Sequence, residues 1–161
     1  MAVFLLLGTN QGDRENMLRQ ARIQLQQQAG RIIRQSSLYE SEPWGFASPD
    51  WFLNQALVLE TALEPLPLLS VTQRIEAALG RRRTGDEYAS RPIDIDILLY
   101  DDRIITCAEL TIPHRRMHER LFALRPLNEL APALIHPHLK QSIASLVAAC
   151  TDRGTVDLIK K

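Results

Sequence analysis

Hydrophobic and polar residues follow one another along this chain in patterns that predict strands and helices in turn. Ala2 to Leu7 is an almost continuous apolar run closed by Gly8, which is typical of a strand buried on both faces. A helix over about 14 to 28 follows, with Asp13 as its N-cap and Gly30 in a left-handed turn at its end. The helical spacing lies in Met17, Ala21, Leu25 and Ala29.

Two further strands are predicted over Ile32 to Glu40 and over Trp51 to Glu60, separated by the Pro- and Gly-bearing loop Ser41 to Asp50. Because the two strands are consecutive, they suggest a hairpin. A second helix begins at Pro65 and stops at Gly80. Its core-facing positions are Leu68, Leu69, Val71, Ile75 and Leu79.

After the polar loop Arg81 to Ser90, Ile93, Ile95 and Ile97 alternate with Asp94, Asp96 and Leu98. This period of two predicts a strand with one packed face. The order βαββαβ indicates a ferredoxin-like α+β sandwich, an antiparallel sheet with helices on one face. Short extended pieces and a helix from about Leu139 to Ala149 follow. No linker or repeat divides the chain, so residues 1–161 are expected to form one domain.

The composition of the 161 residues is that of a folded, soluble domain, with 45% hydrophobic and 24% charged residues. The 19 basic and 19 acidic residues cancel, so no chain-wide field is available to hold a nucleic acid. Cys107 and Cys150 lack the spacing of a disulfide scaffold, which suits a reducing compartment. No apolar run reaches the roughly 18 residues that span a bilayer. We therefore expect a cytoplasmic protein with no nucleic-acid or membrane partner.

Several nucleotide-binding motifs are missing from the sequence. The first lysine is Lys140 and no Gly-x-Gly occurs, so neither a Walker A loop nor a dinucleotide fingerprint is present. The pair Asp94 and Asp96 remains, and a strand places both on the same face with their Cα atoms roughly 6.6 Å apart. Such a pair can bind Mg²⁺ beneath a phosphate chain. The alternative, a solvated strand face, stays open on the pair alone.

Arginines lie just before this acidic pair in the sequence. Of the 19 basic residues, 16 are arginine, and Arg81, Arg82, Arg83 and Arg91 precede the strand. Guanidinium groups are suited to bidentate contacts with phosphate. A solvated arginine-rich loop would give the same pattern. The acidic pair and the arginines together are more specific for phosphate chemistry than either feature alone.

The sequence resembles the 6-hydroxymethyl-7,8-dihydropterin pyrophosphokinases of folate biosynthesis along nearly the whole chain, and only loosely after about residue 135. Several motifs in the family's order carry this resemblance. They are Leu7-Gly8-Thr9-Asn10-Gln11-Gly12-Asp13, Tyr39-Glu40-Ser41-Glu42-Pro43-Trp44-Gly45, Phe52-Leu53-Asn54-Gln55-Ala56, Gln73-Arg74-Ile75-Glu76, Arg91-Pro92-Ile93-Asp94-Ile95-Asp96-Ile97-Leu98, Ile112-Pro113-His114, Met117-His118-Glu119-Arg120 with Phe122, and Arg125-Pro126-Leu127.

The resemblance implies transfer of the pyrophosphoryl group of ATP to the hydroxymethyl oxygen of the pterin, with release of AMP and with two Mg²⁺ ions. It implies that Asp94 and Asp96 are metal ligands and that Arg81 and Arg91 are catalytic, clamping phosphates. The implied ATP contacts are Gln73, Glu76, Arg83, His114 and Arg120. The implied pterin contacts are Ser41, Pro43, Trp44, Phe52, Asn54 and Phe122. A monomer that binds these two small molecules is expected.

Three other interpretations stay open at this point. A zinc site could use His114 and His118, four residues apart, together with His136 and His138, although the ligand spacing is incomplete. An RNA-binding module could share the βαββαβ order, but the aromatic motif that it needs on a central strand is missing. A weakened relative retained for binding is the third, because Ala89, Ser90 and Arg115 depart from the family pattern.

Overall fold

An antiparallel sheet forms the centre of the protein, which we describe from a computed structural model for residues 1–43, 49–80 and 93–160. Its strands run in the order β5-β1-β4-β3-β8, and β2 also pairs with β4. A separate two-stranded ribbon joins β6 to β7. The strands are β1 (Ala2–Thr9), β2 (Arg31–Gln35), β3 (Leu38–Ser41), β4 (Phe52–Glu60), β5 (Asp94–Tyr100), β6 (Ile105–Thr106), β7 (Thr111–Ile112) and β8 (Val156–Lys160).

Helices connect and cover this sheet. They are α1 (Arg14–Gln28), α2 (Pro65–Gly80), α3 (Leu121–Leu130) and α4 (Ile143–Ala149), with a single 3₁₀ turn at Met117–Glu119. Counting β2 and β3 as one broken strand, the chain follows the predicted order βαββαβ as far as β5. The ferredoxin-like fold class is therefore confirmed. In the described part of the chain, every helix is too short or too polar to cross a bilayer.

The predicted strand over Ile32 to Glu40 is interrupted by a bulge at Ser36 and Ser37. From the Gln35–Leu57 pair to the Tyr39–Asn54 pair, β2 and β3 advance four residues while β4 advances three. The Ser36 N–H donates to the carbonyl of Ala56 (2.8 Å), and the Ser36 hydroxyl accepts from the Ala56 N–H (2.9 Å). A side chain thus replaces one backbone partner and lets both halves pair with β4. The predicted antiparallel hairpin is confirmed, with this break.

Both faces of the sheet are packed, although the sequence predicted helices on one face. Val3, Leu5 and Leu7 of β1 pack with α1 and α2, as expected. On the opposite face, Leu6 and Leu98 pack with side chains of α3 and α4. The sequence pattern missed α3 because Pro126 lies inside that helix, where a proline normally disfavours helix. The buried residues that α3 contributes are Ala123, Leu124, Pro126, Leu127 and Leu130.

The last helix begins later than the predicted Leu139. Ser142 is its N-cap, and the Ser142 hydroxyl accepts from the Ser145 N–H (3.1 Å). Lys140 has a φ of 60°, which is incompatible with a helix through that position. The preceding turn instead satisfies its backbone by local hydrogen bonds, so α4 spans only Ile143–Ala149.

The first helix spans the predicted residues, but the turn after it differs from the prediction. The Asp13 carboxylate accepts from the Asn16 N–H (3.1 Å), so Asp13 is confirmed as the N-cap. The left-handed turn predicted at Gly30 is wrong, because Gly12 is the only glycine of the described residues that has a positive φ. Gly30 is needed for another reason: a Cβ there would lie 2.2 Å from the carbonyl oxygen of Glu60. The end of α1 therefore approaches the end of β4 more closely than a side chain permits.

We expect Gly30→Ala to lower the free energy of unfolding by about 3 kcal/mol or more, because two backbone segments must separate to admit the methyl group. Gly12→Ala is the matched control. Gly12 has a φ of +62° but, within the described residues, no heavy atom lies within 4 Å of its added Cβ. Strain alone should cost about 1–2 kcal/mol there. Urea titrations measure the free energy of unfolding of both variants. Equal losses in the two would contradict a close approach of the backbone at Gly30.

A buried histidine holds the turn before α4. His136 is 3% exposed, and its Nδ1 accepts from the N–H groups of His138 (3.2 Å) and Leu139 (3.0 Å). Burial, followed by the charges of His118 and His138, lowers the pKa of His136 to about 4. The turn therefore requires a neutral imidazole. Burial also lowers the pKa of His114 to about 4, with smaller effects from Arg120 and Arg115.

These two histidines predict a loss of stability in acid. Their folded-state pKa values lie below the ordinary 6.5, so the unfolded chain binds more protons between pH 6.5 and 4, and stability falls as the pH falls through that window. In His136→Asn, the Asn oxygen can still accept from the turn but does not titrate. Between pH 7 and 4.5, we expect the free energy of unfolding of this variant to fall by roughly 1–3 kcal/mol less than that of the parent. Urea unfolding at both pH values measures this.

The control for this experiment is His138→Asn, since His138 is exposed and lies in the same turn. It should keep most of the parent's dependence on pH, because burial is the largest cause of the lowered pKa of His136 and the charge of His138 is a smaller one. The assignment of the acid loss to His136 would be wrong if the two variants showed the same pH dependence.

Candidate active site

A cavity of about 140 Å³ opens on the second face of the sheet, between β4, β1, β5 and the start of α3. It brings together seven of the residues predicted for the site, which come from four separate sequence motifs. The residues that line it are Leu6, Gly8, Ser41, Glu42, Phe52, Asn54, Asp94, Asp96, Arg120 and Phe122.

The floor of the cavity is a row of residues that runs across three strands. Gly8 of β1 pairs with Asn54 of β4 on one side and with Asp94 of β5 on the other. Directly opposed residues point to the same face, and neighbouring strands are about 4.8 Å apart, so the Asn54 and Asp94 side chains flank Gly8 across roughly 10 Å. A Cβ at Gly8 would lie 3.3 Å from Asn54 Oδ1. The missing side chain of Gly8 keeps the space between amide and carboxylate open.

Asn54 is held in one orientation by its neighbours. It is 2% exposed, and its Nδ2 donates to the carbonyl oxygen of Tyr39 (3.2 Å) and to the Ser41 hydroxyl oxygen (2.8 Å). Both donors of the amide are therefore used within the protein, while its Oδ1 faces the floor beside Gly8. Asn54 can accept from a ligand at that position.

Asp94 and Asp96 are placed by the alternation along β5. The isoleucines between and beside them are buried in the first core, and the two aspartates are half-buried on the opposite face. Asp94 pairs with Gly8 and Asp96 with Leu6, so both carboxylates border the same cavity. The register places both side chains on one face of the strand, as predicted, and their convergence on a metal stays a prediction. Partly accessible carboxylates at this spacing are suitable ligands for Mg²⁺.

A cation and an aromatic ring close the cavity on the side of α3. Arg120 precedes the helix, and its Cζ lies 5.6 Å from the centre of the Phe122 ring. Burial lowers the pKa of the Arg120 guanidinium, whereas the charge of Asp96, which borders the same cavity, raises it. The α3 side of the cavity thus presents a cation and an aromatic ring, and the sheet side presents an amide at one end and an acidic pair at the other.

Three residues predicted to contact the nucleotide lie outside the cavity lining. Gln73 is exposed on α2, and Glu76 on the same helix accepts from the Ile95 N–H of the edge strand β5 (2.7 Å). The His114 N–H donates to the carbonyl of Leu98 (2.9 Å), and its lowered pKa leaves the ring neutral at pH 7. Their contacts with a nucleotide stay predictions.

The remaining predicted residues divide into two groups. Pro43 borders a second cavity of about 140 Å³, which also contacts Ser41, Glu42 and Phe122 and adjoins the first. Trp44, Arg81, Arg83 and Arg91 lie outside the described residues, so the structure does not test their assignment.

Three residues of the lining were not predicted from the sequence, namely Leu6, Gly8 and Glu42. Gly8 and Glu42 stand inside motifs that carried the resemblance, but only the strand register shows that Gly8 separates Asn54 from Asp94. A role could be assigned to Gly8 only when the pairing of β1 with β4 and with β5 was known.

The arrangement of the described residues does not favour the zinc alternative. Among residues 1–43, 49–80 and 93–160, no three His, Cys, Asp or Glu side chains come together as a metal-binding group. The rings of His118 and His136 are 6.5 Å apart in an edge-on arrangement. The Nδ1 of His136 is already used as an acceptor by the backbone.

By its topology, the protein has a ferredoxin-like α+β fold, with a cavity on one face of its sheet. The family model described as 7,8-dihydro-6-hydroxymethylpterin-pyrophosphokinase matches residues 4–132. The chain therefore belongs to this family, and it is a pyrophosphokinase of folate synthesis that acts on hydroxymethyldihydropterin. The predicted family is confirmed.

Two bacterial relatives support the same assignment. Each is named 2-amino-4-hydroxy-6-hydroxymethyldihydropteridine pyrophosphokinase. The protein of Porphyromonas gingivalis is 46% identical over 138 residues, which cover 84% of this chain and 93% of the relative. That of Bacillus subtilis is 44% identical over 128 residues, which cover 79% and 76%.

Solved structures support the fold. A crystal structure of wild-type HPPK-DHPS from Plasmodium falciparum superimposes with a TM-score of 0.73 at 19% identity, over 91% of this chain. Another HPPK-DHPS structure, in complex with substrates, gives 0.73 at 16% identity over 92%. This chain spans less than half the length of those two proteins, 42% and 43% respectively. The likeness concerns the fold.

We expect Asn54→Asp to destabilise the protein by about 2–4 kcal/mol at pH 7, because it puts a buried carboxylate against the Tyr39 carbonyl and removes both amide donors. Burial should raise the pKa of the new carboxyl, so the deficit relative to the parent should shrink as the pH falls to about 5. Urea unfolding at both pH values measures the deficit.

Asn16→Asp supplies the matched control. Asn16 is exposed in the first turn of α1, where a negative charge is neutral or slightly stabilising. Similar losses in the two variants would contradict the argument that the site around Asn54 is built for a neutral amide.

Proposed function

We propose that the protein transfers the pyrophosphoryl group of ATP to the hydroxymethyl oxygen of 6-hydroxymethyl-7,8-dihydropterin and releases AMP, with two Mg²⁺ ions. The observation that carries this proposal is the row Asn54–Gly8–Asp94. It puts a group suited to the pterin and a group suited to a metal on opposite sides of one open floor. A hydroxymethyl group bound between them would face the phosphate donor.

The amide end of the cavity suits a pterin. A pterin is a flat heteroaromatic with an amide-like edge, so it needs both a fixed hydrogen-bond partner and a surface for stacking. The Asn54 Oδ1 offers a fixed acceptor, because both donors of that amide are already bound within the protein. The Phe122 ring borders the same cavity and offers the stacking surface. Phe52 and Ser41 complete this end, and Pro43 and Trp44 are proposed beside them.

The acidic end suits divalent metal. Asp94 and Asp96 offer hard oxygen ligands, they are partly accessible, and the Gly8 floor leaves space beside Asp94. Bound Mg²⁺ would neutralise charge on the phosphate oxygens of the donor. The two aspartates would orient the triphosphate toward the bound pterin, so that positioning supplies much of the rate acceleration.

Cations complete the proposed donor site. The Arg120 guanidinium borders the same cavity as Asp96 and could contact a phosphate oxygen of the donor. We assign the phosphate clamp to Arg81 and Arg91, with Arg83 on the nucleotide. Gln73, Glu76 and the neutral His114 are proposed as further nucleotide contacts. A cytoplasmic location and a monomeric state are part of the same proposal.

An assay of AMP release from ATP, Mg²⁺ and the reduced hydroxymethylpterin tests the activity. Asp94→Asn and Asp96→Asn should each lower kcat/KM by at least roughly 100-fold, because an amide loses the charge that holds the metal. Both variants should remain folded, because these side chains are only half-buried on the cavity side of β5. Calorimetry of Mg²⁺ with an unreactive ATP analogue gives a second readout and should show weakened metal-dependent binding.

Asp102→Asn is the control, since Asp102 is exposed just beyond the end of β5. It should behave as the parent. Near-normal turnover in either cavity variant would overturn the metal assignment. Binding of both substrates by the parent without AMP release would favour the weakened-relative interpretation.

A further inference from the structure

Residues 152–156, which we name the C-terminal strap, contact both walls of the pterin end of the cavity. The strap lies outside residues 4–132 that the family model matches. It leads into β8, which pairs with β3 at the sheet edge. Its side chains and backbone reach α3 on one side and the end of β3 on the other.

The first contact is with the N-terminus of α3. Arg120 is the N-cap of that helix, and an arginine has only donors, so it cannot accept from the helix's first amides. Asp152, which lies 31 residues further along the chain, supplies the acceptor, because its Oδ2 accepts from the Leu121 N–H (3.0 Å). A carboxylate there also interacts favourably with the helix dipole. Arg125 adds a second tie by donating to the carbonyl of Val156 (3.0 Å).

The second contact is with the wall formed by Ser41 and Glu42. The Glu42 Oε1 accepts from the Thr155 N–H (2.7 Å), and the Glu42 N–H donates to the Thr155 carbonyl (3.3 Å). Ser41 pairs with Val156 in the sheet. The strap therefore connects α3 to the strand end that carries Ser41, the hydrogen-bond partner of Asn54.

The strap is itself held in shape by Asp152. Its Oδ1 accepts from the Gly154 N–H (2.8 Å), while its Oδ2 binds α3. A Cβ at Gly154 would lie 3.1 Å from Asp152 Oδ1 and 3.3 Å from Glu42 Oε1. The carboxylate of Asp152, which binds α3, and that of Glu42, at the end of β3, therefore both lie beside Gly154.

We infer that Asp152 is a positioning residue for pterin binding, which acts by fixing where α3 begins and hence where the Phe122 ring lies relative to Ser41 and Asn54. This inference rests on the proposed function. Phe122 follows directly after the capped Leu121, so an uncapped first turn would displace the ring. A displacement of about 1 Å at a binding surface is enough to change affinity and rate substantially.

The test measures affinity for the reduced hydroxymethylpterin by calorimetry, in the presence of Mg²⁺ and an unreactive ATP analogue. Asp152→Ala should weaken pterin binding about tenfold. Asp152→Asn keeps one acceptor oxygen, so its loss should be smaller. Asp157→Ala is the control, because Asp157 is an exposed aspartate of β8 five positions along, and it should bind the pterin as the parent does.

A double-mutant cycle separates positioning from a general loss of structure. If Asp152 acts through the Phe122 ring, Asp152→Ala should have little further effect on pterin affinity in a Phe122→Ala background, so the two effects should not add. Full additivity would overturn the inference, as would parental pterin affinity in Asp152→Ala. If Asp152→Ala does not fold, the same cycle with Asp152→Asn decides.

The positioning role and the catalytic step of the proposed function can fail separately. Failure of the parent to release AMP, with intact pterin binding that responds to Asp152, would overturn the proposed function and support the positioning role. Normal turnover with pterin binding indifferent to Asp152 would do the reverse.

Discussion

The pairing of β1 with β4 on one side and β5 on the other is the constraint on which the site depends. It aligns Gly8 with Asn54 and Asp94, three residues far apart in the sequence. Because the side chains along a strand alternate between faces, a shift of one residue in either pairing would turn Asn54 or Asp94 toward the opposite core. The buried residues on the first face hold that register, so the packing of the core also fixes the geometry of the site.

The two faces of the sheet have different tasks. One face is covered by α1 and α2 over a continuous apolar core. Within residues 1–43, 49–80 and 93–160, α3 and α4 cover part of the other face, and the cavity opens beside them. Side chains on the second face can therefore be polar without the full cost of burying a charge. This explains how Asp94 and Asp96 can lie within a strand whose intervening residues are fully apolar.

Polar ties link α3 to the strands opposite. The Tyr39 hydroxyl donates to Glu129 of α3 (2.7 Å), and burial, with that carboxylate's help, raises the pKa of Tyr39 to about 12. The Tyr39 carbonyl accepts from Asn54, so one residue connects the helix to the amide of the site. Together with the C-terminal strap, these ties set the position of the Phe122 ring against the sheet. A few directed hydrogen bonds thus hold the α3 side of the cavity against the strands.

The sequence by itself determined the elements whose pattern is local and periodic: β1, α1, α2 and the alternation of β5. It also indicated the acidic pair, since spacing along a strand decides which side chains share a face. Motifs identified the family. What the sequence could not determine was the break at Ser36 and the reason for Gly30, because each depends on a partner distant in the chain. The helix that contains Pro126 and the late start of α4 were missed for local reasons, because a proline normally disfavours helix and because the backbone at Lys140 turns before Ser142 caps the helix. Only the tertiary structure decided that Gly8 separates amide from carboxylate and that Asp152 caps α3, since strand register and contacts between distant segments are not encoded in any local pattern.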